Sequence, residues 1–200
     1  DAFGAADYVS IVFRASVPDH TDRDHAPAIN RDIDAFLASI GRTRSDIAPI
    51  LVIGHPLSDA DIPRLYTAAD AYVVASSGEG WGYPYMEAMA SGLPTIATRW
   101  SANLEFMHDD NSLLCDVESL IPAVDSYVGD LVGQRWAKPS ARHLAELLRV
   151  VVDDRPRAAA LGARARDEMV NQWTWDRVGQ MVQGRRVERS ARPALKWAAR

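Results

Sequence analysis

Short apolar runs that alternate with stretches of helical periodicity constrain this chain more than any other feature. Tyr8 to Arg14, Ile47 to Ile53, Asp70 to Ala75 and Pro94 to Thr98 are rich in β-branched and apolar residues and read as strands, with Ser112 to Cys115 as a candidate fifth. Between the first two, Val17 to Ala28 is polar, holds two prolines and is expected to be a loop. Ile29, Ile33, Phe36, Leu37 and Ile40 then fall at helical spacing and stop at Gly41, an expected C-cap. Ser58 is placed to cap a second helix carrying Ile62, Leu65, Tyr66 and Ala69 on one face. Pro84 is expected to open a third, short helix ending at Ser91, because the first helical position needs no N–H. Strands alternating with helices imply right-handed crossovers and a mostly parallel sheet with helices on both faces. The unbroken apolar run Ile50-Leu51-Val52-Ile53 agrees, since strands buried on both faces do not alternate.

Beyond Val117 the pattern changes. Residues 118 to 139 read as irregular. Ser140 is expected to open a helix to about Val152, Pro156 another to about Trp173, and Thr174 or Asp176 a last one towards Arg189. The segment 176 to 200 holds seven Lys or Arg against two acids. This divides the chain into a domain of residues 1 to 175 and a basic C-terminal helix or tail of 176 to 200.

The bulk numbers exclude several classes. A chain of 200 residues, 48% hydrophobic and 24% charged, has the composition of a globular protein. Its net charge of −5 argues against nucleic acid as the main partner. Cys115 is alone and cannot form an internal disulfide, so a reducing, cytoplasmic setting is the default expectation. No apolar run approaches the ~20 residues of a membrane span. The start, Asp1-Ala2-Phe3-Gly4, carries no initiator methionine and no signal-peptide pattern, and reads as the interior of a longer polypeptide.

The third strand runs straight into Ser77-Gly78-Glu79-Gly80-Trp81-Gly82-Tyr83-Pro84-Tyr85-Met86-Glu87. One carboxylate, Glu79, is expected on a glycine-rich turn and the other, Glu87, in the first turn of the following helix. Open α/β sheets bind ligands in this place, outside the carboxyl ends of the strands. A carboxylate takes two adjacent hydroxyls in bidentate fashion, as acidic residues do with ribose. Glycines admit close approach of backbone N–H groups to phosphate, and a helix N-terminus favours negative charge. A nucleotide sugar offers all three handles: a ribose diol, a pyrophosphate and sugar hydroxyls.

The run Glu79 to Glu87 has an E-x7-E form, and with its continuation through Ala88-Met89-Ala90-Ser91-Gly92-Leu93-Pro94 it closely resembles the retaining GT-B glycosyltransferases of group 1, also called family 4. Leu65 to Val74, Asn103-Leu104-Glu105-Phe106-Met107 and, more weakly, Arg135 to Trp175 extend the likeness over about residues 5 to 180. The resemblance implies a Rossmann-like α/β domain, the C-terminal half of a GT-B fold. It implies that Glu87 holds the donor ribose, that Glu79 contacts the transferred sugar, and that amides around Gly80, Trp81, Gly82 and Tyr83 meet sugar hydroxyls and phosphate. Asn103 and Glu105 are open between orienting the loop over the phosphates and capping a short helix. The base would lie near the strand end at Gly54-His55-Pro56-Leu57, with His55 open between a wall of that pocket and a bystander. No metal and no cofactor are implied. The acceptor, a glycan or other hydroxyl compound, would bind through an N-terminal domain that the chain lacks.

The chain departs from the family in two places. The basic pair that follows the family's first strand is absent, because Tyr8 to Arg14 resembles the second strand. Ser101-Ala102 stands where a Gly-Gly pair is common, and side chains there are expected to crowd a ligand. A non-catalytic nucleotide-sugar binding module, or an inactive fragment, is therefore the alternative; an epimerase is a third reading. Other features have plain readings. Trp81 and Tyr83 can equally be packing residues. Asp19 to His25 reads as a solvated loop, because its spacing fits no zinc pattern. His108 and His143 read as surface residues and Cys115 as a small core residue. The basic tail is open between contact with the other domain, weak contact with the inner face of a membrane, and solvent.

Overall fold

The computed structural model describes residues 2–15, 24–123 and 133–190. The elements run β1 (Ile11–Arg14), α1 (Ala26–Ser39), β2 (Ile50–Ile53), α2 (Asp61–Ala68), β3 (Tyr72–Val74), α3 (Tyr83–Ala90), β4 (Thr95–Thr98), β5 (Leu113–Cys115), β6 (Val117–Pro122), β7 (Arg135–Pro139), α4 (Ala141–Asp153), α5 (Arg155–Gln172) and α6 (Trp175–Ser190). The strand–helix alternation is the one the periodicity predicts, and the class is α/β with parallel sheets.

The parallel strands form two sheets. β1 pairs with β2, placing Ile11 opposite Ile50. β4 lies between β3 and β5, with Ile96 opposite both Val73 and Leu113. The second sheet carries the core. Ala97 and Leu114 face Tyr85 and Met89 of α3, Ala165 and Met169 of α5, and Phe106. Ile96, Leu113 and Cys115 face Leu147 and Val151 of α4 and Ala158 of α5. Helices on both faces explain why all four residues of β4 are buried.

Four expectations need correction. β1 and β2 were expected to be covered on both faces, yet Val12 and Phe13 are each 46% exposed and Leu51 is 60% exposed; among the described strands β1 bonds to β2 alone. An apolar hollow lined by Phe13, Ile29, Ile33, Phe36, Leu37 and Ile50 remains beside it. Residues 118 to 139 are not wholly irregular: β6 and β7 form an antiparallel pair, with Leu120 opposite Ala137. The pairing spans a long connection and its strands contain Pro122, Pro139 and charged residues, so no local alternation betrays it. α1 begins at Ala26, inside the segment expected to be a loop, because Pro27 sits within its first two positions and needs no donor there. His25, expected in a solvated loop, occupies the N-cap position of that helix and is buried; residues 19 to 23 lie outside the described set.

α4 and α6 start at their sequence signals, Ser140 and Thr174, while α5 starts at Arg155, one residue before Pro156, with Asp154 as its cap. Ser140 Oγ accepts from His143 N, Asp154 Oδ1 accepts from Arg157 N, and Thr174 Oγ1 accepts from Arg177 N. α6 spans the expected boundary at residue 176, and its apolar residues Trp175, Val178, Met181 and Val182 are exposed. Residues 191–200 of the basic tail lie outside the described set. Among the described residues no helix is long and apolar enough to cross a membrane.

Candidate functional site

The chain leaves β3 at Val74 and reaches α3 at Tyr83, so the loop 75 to 82 opens at the carboxyl end of the sheet. Ligands bind there in open α/β folds. Gly82 enters the helix with φ +95, and a Cβ on it would stand 2.4 Å from the Tyr85 ring. Glycine is therefore required at this position by both conformation and space. A Cβ on Gly80 would meet nothing within 4 Å, so the space beside Gly80 is open.

α3 starts one residue earlier than Pro84 predicts, at Tyr83. Glu87 is thus the fifth helical residue and lies in the second turn, not the first. Proline is equally at home at the second position, where the N–H is still unused. The start at Tyr83 follows from the left-handed Gly82. Glu87 is exposed, and its Oε2 accepts from the Tyr66 hydroxyl of α2 at 2.9 Å. Glu79 is partly buried, and its Oε1 accepts from the Tyr85 hydroxyl at 3.3 Å.

Three tyrosines connect the two carboxylates. Tyr72 packs edge-on to Tyr66 at 5.7 Å between ring centroids and edge-on to Tyr85 at 5.9 Å. Such pairs contribute about 0.5–1.5 kcal/mol beyond their buried area. Burial, then the charges of Glu79 and Glu87, push the Tyr72 phenol up to about 12. Both carboxylates therefore act on one ring. Burial and the bond to Glu87 raise Tyr66, and burial raises Tyr85. Arg14, at the end of β1, opposes these shifts at Tyr66 and Tyr72, so its charge reaches the same cluster.

The loop beneath Glu79 is fastened along its length. Thr98 Oγ1 donates to Ser76 O at 2.7 Å. The N–H of Ala137, in β7, donates to Ser77 O at 3.0 Å. Ser101 Oγ donates to Glu79 O at 2.7 Å and accepts from Glu79 N at 3.0 Å. The unforeseen hairpin is thus a support of the site, and the Ser101 hydroxyl, expected to crowd a ligand, is engaged by Glu79.

The remaining candidates divide between these two acids and the scaffold. Trp81 packs against Phe106 and Trp173 at 5.7 and 5.9 Å, and its Nε1 donates to Met86 Sδ at 3.1 Å. Tyr83 is exposed at the start of α3. Asn103 is buried, and its amide donates to Thr98 O at 3.1 Å, which braces the turn after β4. His55 is exposed and Leu57 partly buried after β2; among the described residues no hydrogen bond joins them to the glutamates. His108 bonds Glu168 Oε2 and Asn111, and His143 Nδ1 accepts from Asp116 N, so both are tied into the scaffold. Burial pushes the Cys115 thiol up, as suits a core residue. Among the described residues no group of His, Cys, Asp and Glu is arranged to hold a metal. Tyr66, Tyr72, Tyr85 and Ser101 were not singled out as site residues, since their roles rest on contacts far along the chain. The Ser101 departure was the single sequence signal among them.

A sequence model of the family described as Glycosyl transferases group 1 matches residues 26–130. The GDP-mannose-dependent alpha-(1-6)-phosphatidylinositol monomannoside mannosyltransferase of Mycolicibacterium smegmatis is 25% identical over 169 residues, which are 78% of this chain and 39% of that protein. Two solved structures share the fold. HepE of Anabaena, in complex with UDP-glucose, superposes with a TM-score of 0.58 at 17% identity, over 90% of this chain and 40% of its own. The C-terminal domain of the group 1 glycosyl transferase LpcC of Francisella tularensis does so with a TM-score of 0.56 at 19% identity, over 83% of this chain and 86% of its own. The chain therefore spans about two fifths of the full-length proteins and nearly all of the isolated C-terminal domain.

Proposed function

The chain belongs to the group 1 glycosyl transferases, and from that premise we propose that it is the donor-binding half of a retaining enzyme that moves a hexose-type sugar from a nucleoside diphosphate to an acceptor hydroxyl. The observation that carries this reading is the joining of Glu79 and Glu87, through one tyrosine cluster, beside an open glycine turn and a helix N-terminus. Glu87 takes the ribose diol. Glu79 takes a hydroxyl of the transferred sugar. Loop amides around Gly80 to Tyr83 and the positive end of α3 receive the diphosphate. His55 and Leu57 flank the base. In the reaction, the acceptor oxygen bonds to the anomeric carbon on the face from which the diphosphate departs, and the acceptor proton passes to the leaving diphosphate. The proposal includes no metal and no cofactor. It places the enzyme in the cytoplasm.

The domain reading follows. Among the described strands, β1 and β3 each bond on one edge only, and both belong to parallel sheets. A further parallel strand between them would join the two sheets, with a basic loop after it and a second domain for the acceptor.

Calorimetry with UDP, GDP, UDP-glucose and GDP-mannose tests the site. A charge-assisted bond contributes roughly 1.5–3 kcal/mol, so Glu87→Ala should weaken nucleotide binding by about 10- to 150-fold. In the complete enzyme Glu79→Ala should lower turnover. Wild-type affinity in Glu87→Ala would remove the ribose role; unaltered transfer in Glu79→Ala would remove the other. A chain that binds donor but stays inactive once its second domain is supplied would be a binding module.

A further inference from the structure

We propose that Ser101 is the positioning residue that sets the Glu79 carboxylate against the donor sugar; this rests on the reading of Glu79 as the sugar contact. Ser101 has φ 80 and ψ −161. That region is occupied essentially by glycine alone. Among the described residues Ser101 is the one non-glycine with positive φ. Strain of this kind persists where the surroundings over-determine it and clusters at functional sites.

What the serine gains is specific. A hydroxyl both donates and accepts, and this one does both on a single residue, bonding the carbonyl and the N–H of Glu79 at 2.7 and 3.0 Å. Glycine at 101 would take the same backbone without strain and leave both Glu79 groups unbound. The turn that carries Ser101 is itself rigid: Asn103 holds Thr98 O from inside, and Thr98 holds Ser76 O. The loop after β4 thus grips the loop after β3 at Ser76 and again at Glu79. With its main chain held there, Glu79 reaches the Tyr85 hydroxyl at 3.3 Å. Ser101 acts through Glu79, which its hydroxyl holds by both main-chain groups.

The test compares wild type, Ser101→Gly and Glu79→Ala in the full 200-residue chain, by calorimetry with UDP and UDP-glucose and with GDP and GDP-mannose. Hydrogen exchange at the Glu79 amide is read alongside. In Ser101→Gly the Glu79 amide should exchange at least tenfold faster. Nucleotide affinity should stay within about twofold. The ratio of donor to nucleotide affinity should shift at least fivefold, in the direction that Glu79→Ala shifts it. An unchanged ratio in Ser101→Gly would overturn the proposal while leaving the donor site intact. Proportional loss of nucleotide and donor binding would overturn it too, showing a general support. Should wild type bind none of the four ligands, or Glu79→Ala leave the ratio untouched, the functional reading itself fails and this inference falls with it.

Discussion

Replacing Gly82 by alanine tests the geometry of the loop–helix junction. Two costs add. An L-residue in the left-handed conformation loses about 1–2 kcal/mol, and Gly82 has φ +95. The new Cβ would also stand 2.4 Å from Tyr85 Cδ2. Tyr85 is 2% exposed and hydrogen-bonded to Val74 O and Glu79, so its ring has no free space to enter. Forcing extra volume into such packing costs about 1–3 kcal/mol. The sum, about 2–5 kcal/mol, corresponds to a fall in Tm of roughly 4–20 °C for a chain of this size. Gly80→Ala is the matched control, because its Cβ meets nothing within 4 Å. It should be neutral or stabilise by up to about 1 kcal/mol through the unfolded state. Urea and thermal unfolding of both variants, with donor titration, read the difference. If Gly82→Ala unfolds with wild-type Tm and binds donor normally, neither the left-handed entry nor the Tyr85 contact constrains the site.

Two predictions concern the neighbourhood of the tyrosines and the first sheet. Because the folded state raises Tyr72 above the ordinary value of 10.0 to about 12, its contribution is complete below pH 10 and is lost as pH rises towards 12. Urea unfolding across that window should fall less steeply in Tyr72→Phe than in wild type, and parallel slopes would contradict the burial and charge argument. If a further strand seats against β1, hydrogen exchange at Ile11 to Arg14 should slow in a chain extended upstream of Asp1; unchanged exchange would reject that arrangement.

Legibility in this chain follows the range of the interactions involved. Helix starts and stops depend on residues three or four apart, and Ser140, Thr174 and Gly41 announced theirs. The parallel α/β class follows from apolar runs whose spacing is equally local. Glu79 and Glu87 stood out as candidates for the same reason, since a strand, a glycine turn and a helix start follow one another within that short stretch.

What sequence pattern alone determined, then, was the α/β class and the alternation of strands and helices up to β5. Tertiary structure decided which strands find neighbours, so that β4 is enclosed while β1 stays exposed, and decided that β6 and β7 pair across a long connection. It also decided that Tyr66, Tyr72 and Tyr85 stack into one cluster and that Ser101 clasps Glu79 from 22 positions away. Those contacts form between side chains with no fixed sequence separation, so no periodicity encodes them, and only the closed fold sets their distances.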